Sequence, residues 1–313
     1  MNGKVRNVVS VDVENWNSRP IVRKFGRLGP QDEYNMEGVM EGVKDTLALF
    51  KRYNRIGTFF VLGIVAEHCP ECVELIAREG HEVALHGFRH RQLHEMDPET
   101  FHEEIQKSSS IVRRITGSKP LGFRAPNFSL TSDSSWALNV LQREDFTYDS
   151  SVMPSFNLSA DIHSPRPGSI AVGLYRPSHT NPFRSSDNEG DTIFEFPTIA
   201  RRFFIFNLPS GGGFYLRLLG HDFILRSIKK LNELGASAMC YLHNWEVSGN
   251  QRDTLPFGIS QFANFGIPMT KRLAHILRNL KTTTAFEAVE AAGCSILPET
   301  IKSEPLHLTS PID

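Results

Sequence analysis

The sequence predicts an α/β domain whose parallel strands close toward a barrel. Three observations carry that expectation. Short β-branched runs alternate with helical spacings from residue 7 to about residue 152. The helices between them run roughly 10 to 15 residues, the length of a crossover between parallel strands. Polar residues also gather at strand ends, at Asp12, Glu14, His86, Arg124, Asp149 and His243, where parallel α/β folds build their sites.

Taken in order, Asn7–Val13 is a β-branched run and reads as the first strand. Val39, Val43, Leu47 and Phe50 recur at helical spacing over residues 37–53. Thr58–Leu62 is a second strand, and the helix through Cys72–Arg78 stops at Gly80. His81–Leu85 is the third strand. Asp97-Pro98-Glu99 opens a helix that runs to Gly117, with proline just inside the start and acids on the positive end. Leu121–Arg124, Ser134–Gln142 and Tyr148–Val152 continue the alternation as strand, helix and strand. Residues 155–195 lose the pattern and read as an irregular insertion that shapes a cleft. Strand signals return at Thr192–Phe196 and Ala238–Leu242. Between them a Gly-rich and helical segment spans 200–235, its glycine run 209–215 reading as a flexible loop at the cleft. One domain over residues 1–297 is expected, followed by a flexible tail over 298–313.

Composition narrows the function classes. The formal charge of −1 gives no reason to expect nucleic acid as a partner. No apolar stretch reaches the length of a membrane span, and the apolar run at the N-terminus is broken by Asp12. A cytoplasmic location is the expectation. Cys69 and Cys72 form a CxxC without a second pair to complete a zinc site, and read as two plain thiols at a helix start.

The chemistry concentrates in a few segments. His86 and His90 stand four residues apart, so on a helical turn both imidazoles would reach one metal ion. Asp12 and Glu14 alternate on a strand and project from one face. Two carboxylates so placed are costly unless they hold a cation or share a proton. One is expected to serve the metal and the other to act as general base. Trp16 and Trp245 stand beside these positions and read as core residues or as sugar-stacking rings.

The series SVDVENW, TFFVLG, HEVALHGFRH, GFRAPNFSL, YDSSVMP and CYLHNWE resembles the polysaccharide deacetylase family, and within it the branch found in exopolysaccharide loci. The resemblance covers residues 8 to 246. It implies a distorted (β/α)7 barrel and hydrolytic, metal-dependent removal of an N-acetyl group from an amino sugar. It also implies His86 and His90 as metal ligands and Asp12 as general base. Glu14 is preferred to Asn15 as the third ligand because a carboxylate also neutralises the cation. Arg124 would hold the base, His243 would be the general acid, Asp149 would orient it, and Leu242 would pack on the acetyl methyl. The implied metal is zinc first, with Co, Ni or Fe compatible with such ligands. Asn244 stands where the branch usually has proline.

The implied substrate is an N-acetylated sugar, an oligosaccharide, or a lipid- or nucleotide-linked sugar; a lipid-linked one would bring the protein to a membrane. Two other functions stay open on the same residues. One is an imidase, ureide or formyl hydrolase, and the other a degenerate, non-catalytic carbohydrate-binding protein.

Overall fold

The computed structural model describes residues 5–15, 35–153, 177–178, 181–185, 192–203, 206–233, 235–248 and 267–293. Most of the 155–195 insertion, Trp16 and the 298–313 tail lie outside these residues. Seven parallel strands form one sheet in the order β11-β1-β2-β3-β4-β5-β8. They are β1 (Val8–Val13), β2 (Thr58–Val61), β3 (Glu82–Leu85), β4 (Gly122–Phe123), β5 (Tyr148–Asp149), β8 (Phe194–Glu195) and β11 (Met239–His243). The sheet curls into a distorted (β/α)7 barrel, and chain beyond β8 bridges its two edges, with Ile199 N–H donating to Met239 O at 3.0 Å. Antiparallel pairs β6 (Pro177–Ser178) with β7 (Asn181–Ser185), and β9 (Ala200–Phe203) with β10 (Phe206–Pro209), lie outside the barrel sheet.

Helices cover the outer face. Up to β5 they are α1 (Met36–Arg52), α2 (Gly63–His68), α3 (Pro70–Arg78), α4 (Pro98–Thr116) and α5 (Trp136–Arg143). Their boundaries follow from local chemistry. Asn35 caps α1 by accepting from Gly38 N–H, and Asp97 caps α4 by accepting from Thr100 N–H. Gly117 ends α4 at φ 79°, a left-handed conformation that costs glycine little. The second half adds α6 (Gly213–Leu219), α7 (His221–Glu233), α8 (Asn244–Val247), α9 (Ile267–Asn279) and α10 (Ala285–Gly293).

Strand alternation sorts the side chains. Val9, Val11 and Val13 join the large core between sheet and helices, whereas Val8 joins a smaller cluster with Phe60, Tyr148 and Met239. That second cluster is closed by Ala285, Ala288 and Val289 of α10. Ala285 N–H donates to Thr58 Oγ1 at 2.7 Å, which ties α10 to the start of β2. Ser10 and Asp12 share the inward face with Val8, and the register sets Asp12 beside His243. Closure at the N-terminal strand ends leaves the C-terminal ends for a site.

Cys69 and Cys72, expected as free thiols, are joined as a disulfide at the start of α3. Three residues of separation with a helical turn between them bring their Cα atoms to 5.5 Å, within bonding reach.

His81 is a structural histidine. Its Nδ1 accepts the Gly57 N–H at 3.1 Å, and its ring meets Phe50 and Phe59 edge-on. Burial pushes its pKa down to about 4. The folded protein therefore stays neutral there at pH values where the unfolded chain takes up a proton. Stability from this site is full above about pH 6.5 and falls as the pH drops toward the folded value. His81→Gln keeps an acceptor for Gly57 and should lose less stability between about pH 7 and about pH 5 than wild type does. Urea midpoints at the two pH values measure this, and equal losses would contradict it.

Candidate active site

At the C-terminal strand ends a cavity of about 170 Å³ opens between β1, β3, β11 and α6. Asp12, Glu14, His86 and His90 line one side, and Tyr241, His243, Trp245 and Glu246 the other. Asn127, Phe128, Phe214 and Arg217 complete the wall.

Glu14, His86 and His90 present one ligand atom each, all within 4.8 Å of one another, and all three residues are buried. The two histidines reach this arrangement by a loop rather than the helical turn expected from their spacing. Residues 86–92 are non-helical, with Gly87 at φ 76° and His90 at φ 60°. Left-handed backbone at a non-glycine residue costs about 1–2 kcal/mol, so the surroundings must enforce it. Gly63 N–H donates to Gly87 O at 2.8 Å and Ile64 N–H to Phe88 O at 3.0 Å. Gly63 itself is required there, because a Cβ would run into the Phe88 ring.

The donors fit a divalent cation. His86 Nδ1 donates to the Arg124 carbonyl at 2.8 Å, which fixes the tautomer and leaves Nε2 with its lone pair. Burial lowers the His86 pKa, with Asp12 and Glu14 only partly opposing, so the ring is neutral as a ligand must be. Glu14 Oε2 lies 2.8 Å from His90 Nε2, and among the described residues no donor is aligned on that buried oxygen. Burial alone would raise the Glu14 pKa. The His90, His243 and His86 rings outweigh it and hold the carboxyl well below the usual range. The carboxylate is thus ionised among nitrogen donors, a set that suits Zn²⁺ and its neighbours. A second grouping, His221, Asp222 and His275, is less suited to a cation. It sits at the positive start of α7, and Arg272 adds repulsion.

Asp12 is held from one side. Arg124, wholly buried, donates Nη1–H to Asp12 Oδ1 at 2.6 Å and to Ser10 Oγ at 3.1 Å. Its other donors go to Ser150 O and Oγ, and its guanidinium lies 4.0 Å over the Phe60 ring. Across the cavity the His243 ring stacks on Trp245 at 4.6 Å, and its Nε2 is 3.7 Å from Glu14 Oε1.

Residues 35–146 match the family model described as polysaccharide deacetylase. That match to a polysaccharide deacetylase domain covers 112 of the 313 residues. Residues 163–290 match a second model, DUF3473, described as a domain of unknown function. The chain is 31% identical over 120 residues to the peptidoglycan deacetylase-like protein FGM2 of Gibberella zeae, covering 37% of this chain and 35% of that protein. It is 30% identical over 112 residues to the peptidoglycan deacetylase of Helicobacter pylori, covering 36% and 37%. The matched region thus spans little more than a third of either relative. The fold superposes on a Mycobacterium smegmatis protein assigned to the polysaccharide deacetylases, with TM-score 0.64 and 19% identity over 100% of this chain and 96% of that one. At that identity the likeness is one of fold.

Asp12, Glu14, His86, His90 and His243 come together around this cavity, with Arg124 on Asp12, and Asn15 is not among the residues that line it. Asp149 does not take its expected place. It ends β5, accepting from Ser151 Oγ at 2.5 Å and facing Glu195 across the β5–β8 register. Burial raises both carboxyls, and the nearby Asp149 charge lifts Glu195 well above the usual range, so this pair retains a proton. The carboxylate on the His243 ring is Glu246, whose Oε2 is 3.3 Å from Nδ1 and accepts the His243 N–H at 2.8 Å. An i, i+3 partner in the turn after β11 reaches the ring directly. The WE that follows the histidine was the signal in the sequence. Leu242 also departs from expectation. Alternation along β11 turns Tyr241 and His243 into the cavity and Leu242 into the core beneath the helices.

Two further segments carry more than their sequence suggested. Asn244, in place of a proline, accepts the Glu14 N–H through Oδ1 at 3.0 Å and reaches Val39 O with Nδ2. Its backbone also packs so closely on α1 that a Cβ at Gly42 would collide with it. Asn244→Ala leaves the buried Glu14 N–H without its acceptor. The expected cost is about 1–3 kcal/mol, read as a lower urea midpoint; an unchanged midpoint would show that this bond contributes nothing. The glycine run is a packed strap rather than a flexible loop. Gly211 O accepts the Tyr241 N–H at 2.7 Å, and a Cβ at Gly212 would press on the Tyr241 ring.

Proposed function

We propose that this protein is a metal-dependent hydrolase that removes the N-acetyl group from an amino sugar in a glycan or glycan precursor. The observation that carries the proposal is the buried Glu14, His86 and His90 donor set, flanked in one cavity by Asp12 with Arg124 and by His243 with Glu246. The relatives named as peptidoglycan deacetylases support the same reaction class.

A divalent ion held by Glu14, His86 and His90 would polarise the amide carbonyl and acidify water. Asp12 takes the proton of the attacking water as its oxygen bonds to the acetyl carbon. The Arg124 guanidinium holds Oδ1 of that base in place. His243 gives the proton on Nε2 to the amide nitrogen as the C–N bond breaks, and Glu246 at Nδ1 supports the positive ring. Acetate and a free amino sugar leave. The amine is a poor leaving group without that proton, so His243 must carry it before the C–N bond breaks. Phe214, half-exposed at the cavity mouth, offers an apolar face to a sugar ring.

The substrate class completes the proposal: an N-acetylhexosamine unit in an oligosaccharide, or a lipid- or nucleotide-linked precursor of an exopolysaccharide. Among the described residues no helix is long and apolar enough to cross a membrane. Protein loaded in turn with Zn²⁺, Co²⁺ and Ni²⁺ would be given N-acetylglucosamine oligomers, peptidoglycan fragments, and lipid- and nucleotide-linked N-acetylglucosamine. Metal-dependent release of acetate with an equal yield of free amine is expected. No acetate above the blank from any of these with metal bound would overturn the proposal.

A further inference from the structure

We infer that the segment matching a domain of unknown function completes the active site, and that Arg217 within it is a positioning residue that seats Glu246 behind the proton donor His243. Apart from Asp12 and Glu14, which precede both matches, the cavity lining divides by segment. His86, His90, Asn127 and Phe128 belong to residues 35–146, whereas Phe214, Arg217, Tyr241, His243, Trp245 and Glu246 belong to residues 163–290. One matched segment thus brings the two histidine ligands, and the other brings the proton donor with everything that touches it from behind. Neither makes a site alone.

Glu246 is the joint. Its side chain is wholly buried, and its Oε2 faces both N–H groups of His243 while its Oε1 forms an ion pair with Arg217. A carboxylate removed from water is costly unless charge and hydrogen bonds replace the solvent. The Arg217 guanidinium, itself buried, supplies the charge and can hold the carboxylate in one rotamer. The strap explains how an arginine on α6 gets so close. A Cβ at Gly213 would occupy the space of the Glu246 carboxylate, so only glycine lets the helix start there. Gly211 and Gly212 fasten the same chain to Tyr241 of β11, two residues before His243. From the other side Arg272 of α9 donates to the carbonyls of Leu216 and Arg217, fixing the end of α6. Glycine run, arginine and glutamate therefore form one chain of contacts that ends on the His243 ring.

This inference rests on His243 being the general acid, and the test separates the two. Two substrates differ in their need for an acid: an N-acetylglucosamine oligomer, whose amine must be protonated to leave, and 4-nitrophenyl acetate, whose phenolate leaves without a proton. His243→Ala should lose the amide reaction while keeping the ester reaction. Arg217→Met should lower kcat on the amide by about tenfold or more with KM unchanged, keep the ester reaction, and be partly rescued by Arg217→Lys. Glu246→Gln, which preserves shape, should show the same amide-selective loss and serves if Arg217→Met fails to fold. If His243→Ala loses both substrates equally, the acid assignment is wrong, and the inference falls with it. If His243→Ala discriminates while Arg217→Met and Glu246→Gln treat both substrates alike, retained or lost together, the positioning role is overturned and the acid assignment stands.

Discussion

Glu14→Gln should leave a folded protein that has lost both its metal and its turnover. The substitution keeps size and shape but removes the one negative charge in the donor set and turns one oxygen into an amide N–H₂ facing imidazole nitrogens. Changes that merely touch a ligand's support cost about 10- to 100-fold in metal affinity, and loss of the charged ligand itself should cost more. The effect on the metal-free protein runs differently. Glu14 is held ionised by His90, His243 and His86, and its depressed pKa contributes stability above the unfolded carboxyl value that is lost as the pH falls. Metal-free Glu14→Gln should therefore be less sensitive to acid than wild type while binding Zn²⁺ far more weakly. Calorimetric titration with Zn²⁺ and thermal melts across pH read the two effects apart. Unchanged affinity would remove Glu14 from the donor set.

The expectation that a metal site forms here needed residues from separate strands, and the sequence displayed most of them. Strand ends are legible because period-2 runs stop where polar residues begin, as at Asp12 and His86. Alternation was enough to pair Asp12 with Glu14, since the strand period is local. The same alternation places Leu242, expected on the acetyl methyl, in the core instead, because it lies between two inward-facing neighbours. The missed features depend on distance in sequence. Arg217 and Glu246 are 29 positions apart and meet only because three glycines let α6 approach β11. The asparagine at 244 shows its role only when β1, α1 and α8 pack together. The mistaken helix at residues 86–90 has the same origin. Spacing of four fits a helical turn, but the left-handed φ at Gly87 and His90 is imposed by contacts with α2 that no local pattern encodes. Asp149 was chosen by motif position, and the nearer Glu246 lay three residues from the histidine it serves.

Asp12→Asn and Arg124→Met should fail in opposite ways, although the two side chains touch. Asn at position 12 still fills the site and can accept from the Arg124 guanidinium, but it cannot take a proton. Zn²⁺ should bind as before and the stability change should be small, while kcat falls by about 10²–10⁴-fold, the usual worth of a positioned base. Arg124→Met does the reverse damage first. Arg124 is wholly buried and holds Asp12, Ser10 and two atoms of Ser150, so its loss leaves the Asp12 carboxylate in the barrel without its cation. Breaking a buried pair in this way costs about 3–5 kcal/mol, visible as a large fall in the urea midpoint with activity lost alongside. The double variant decides between mechanisms. If the cost is the stranded charge, adding Asp12→Asn to Arg124→Met should restore part of the stability, because the neutral amide needs no cation. If the cost is only lost packing against Phe60, the second substitution restores nothing. Retained turnover in Asp12→Asn would in turn move the base to another group, and Glu14, the nearest other carboxylate facing the cavity, would then be the residue to test.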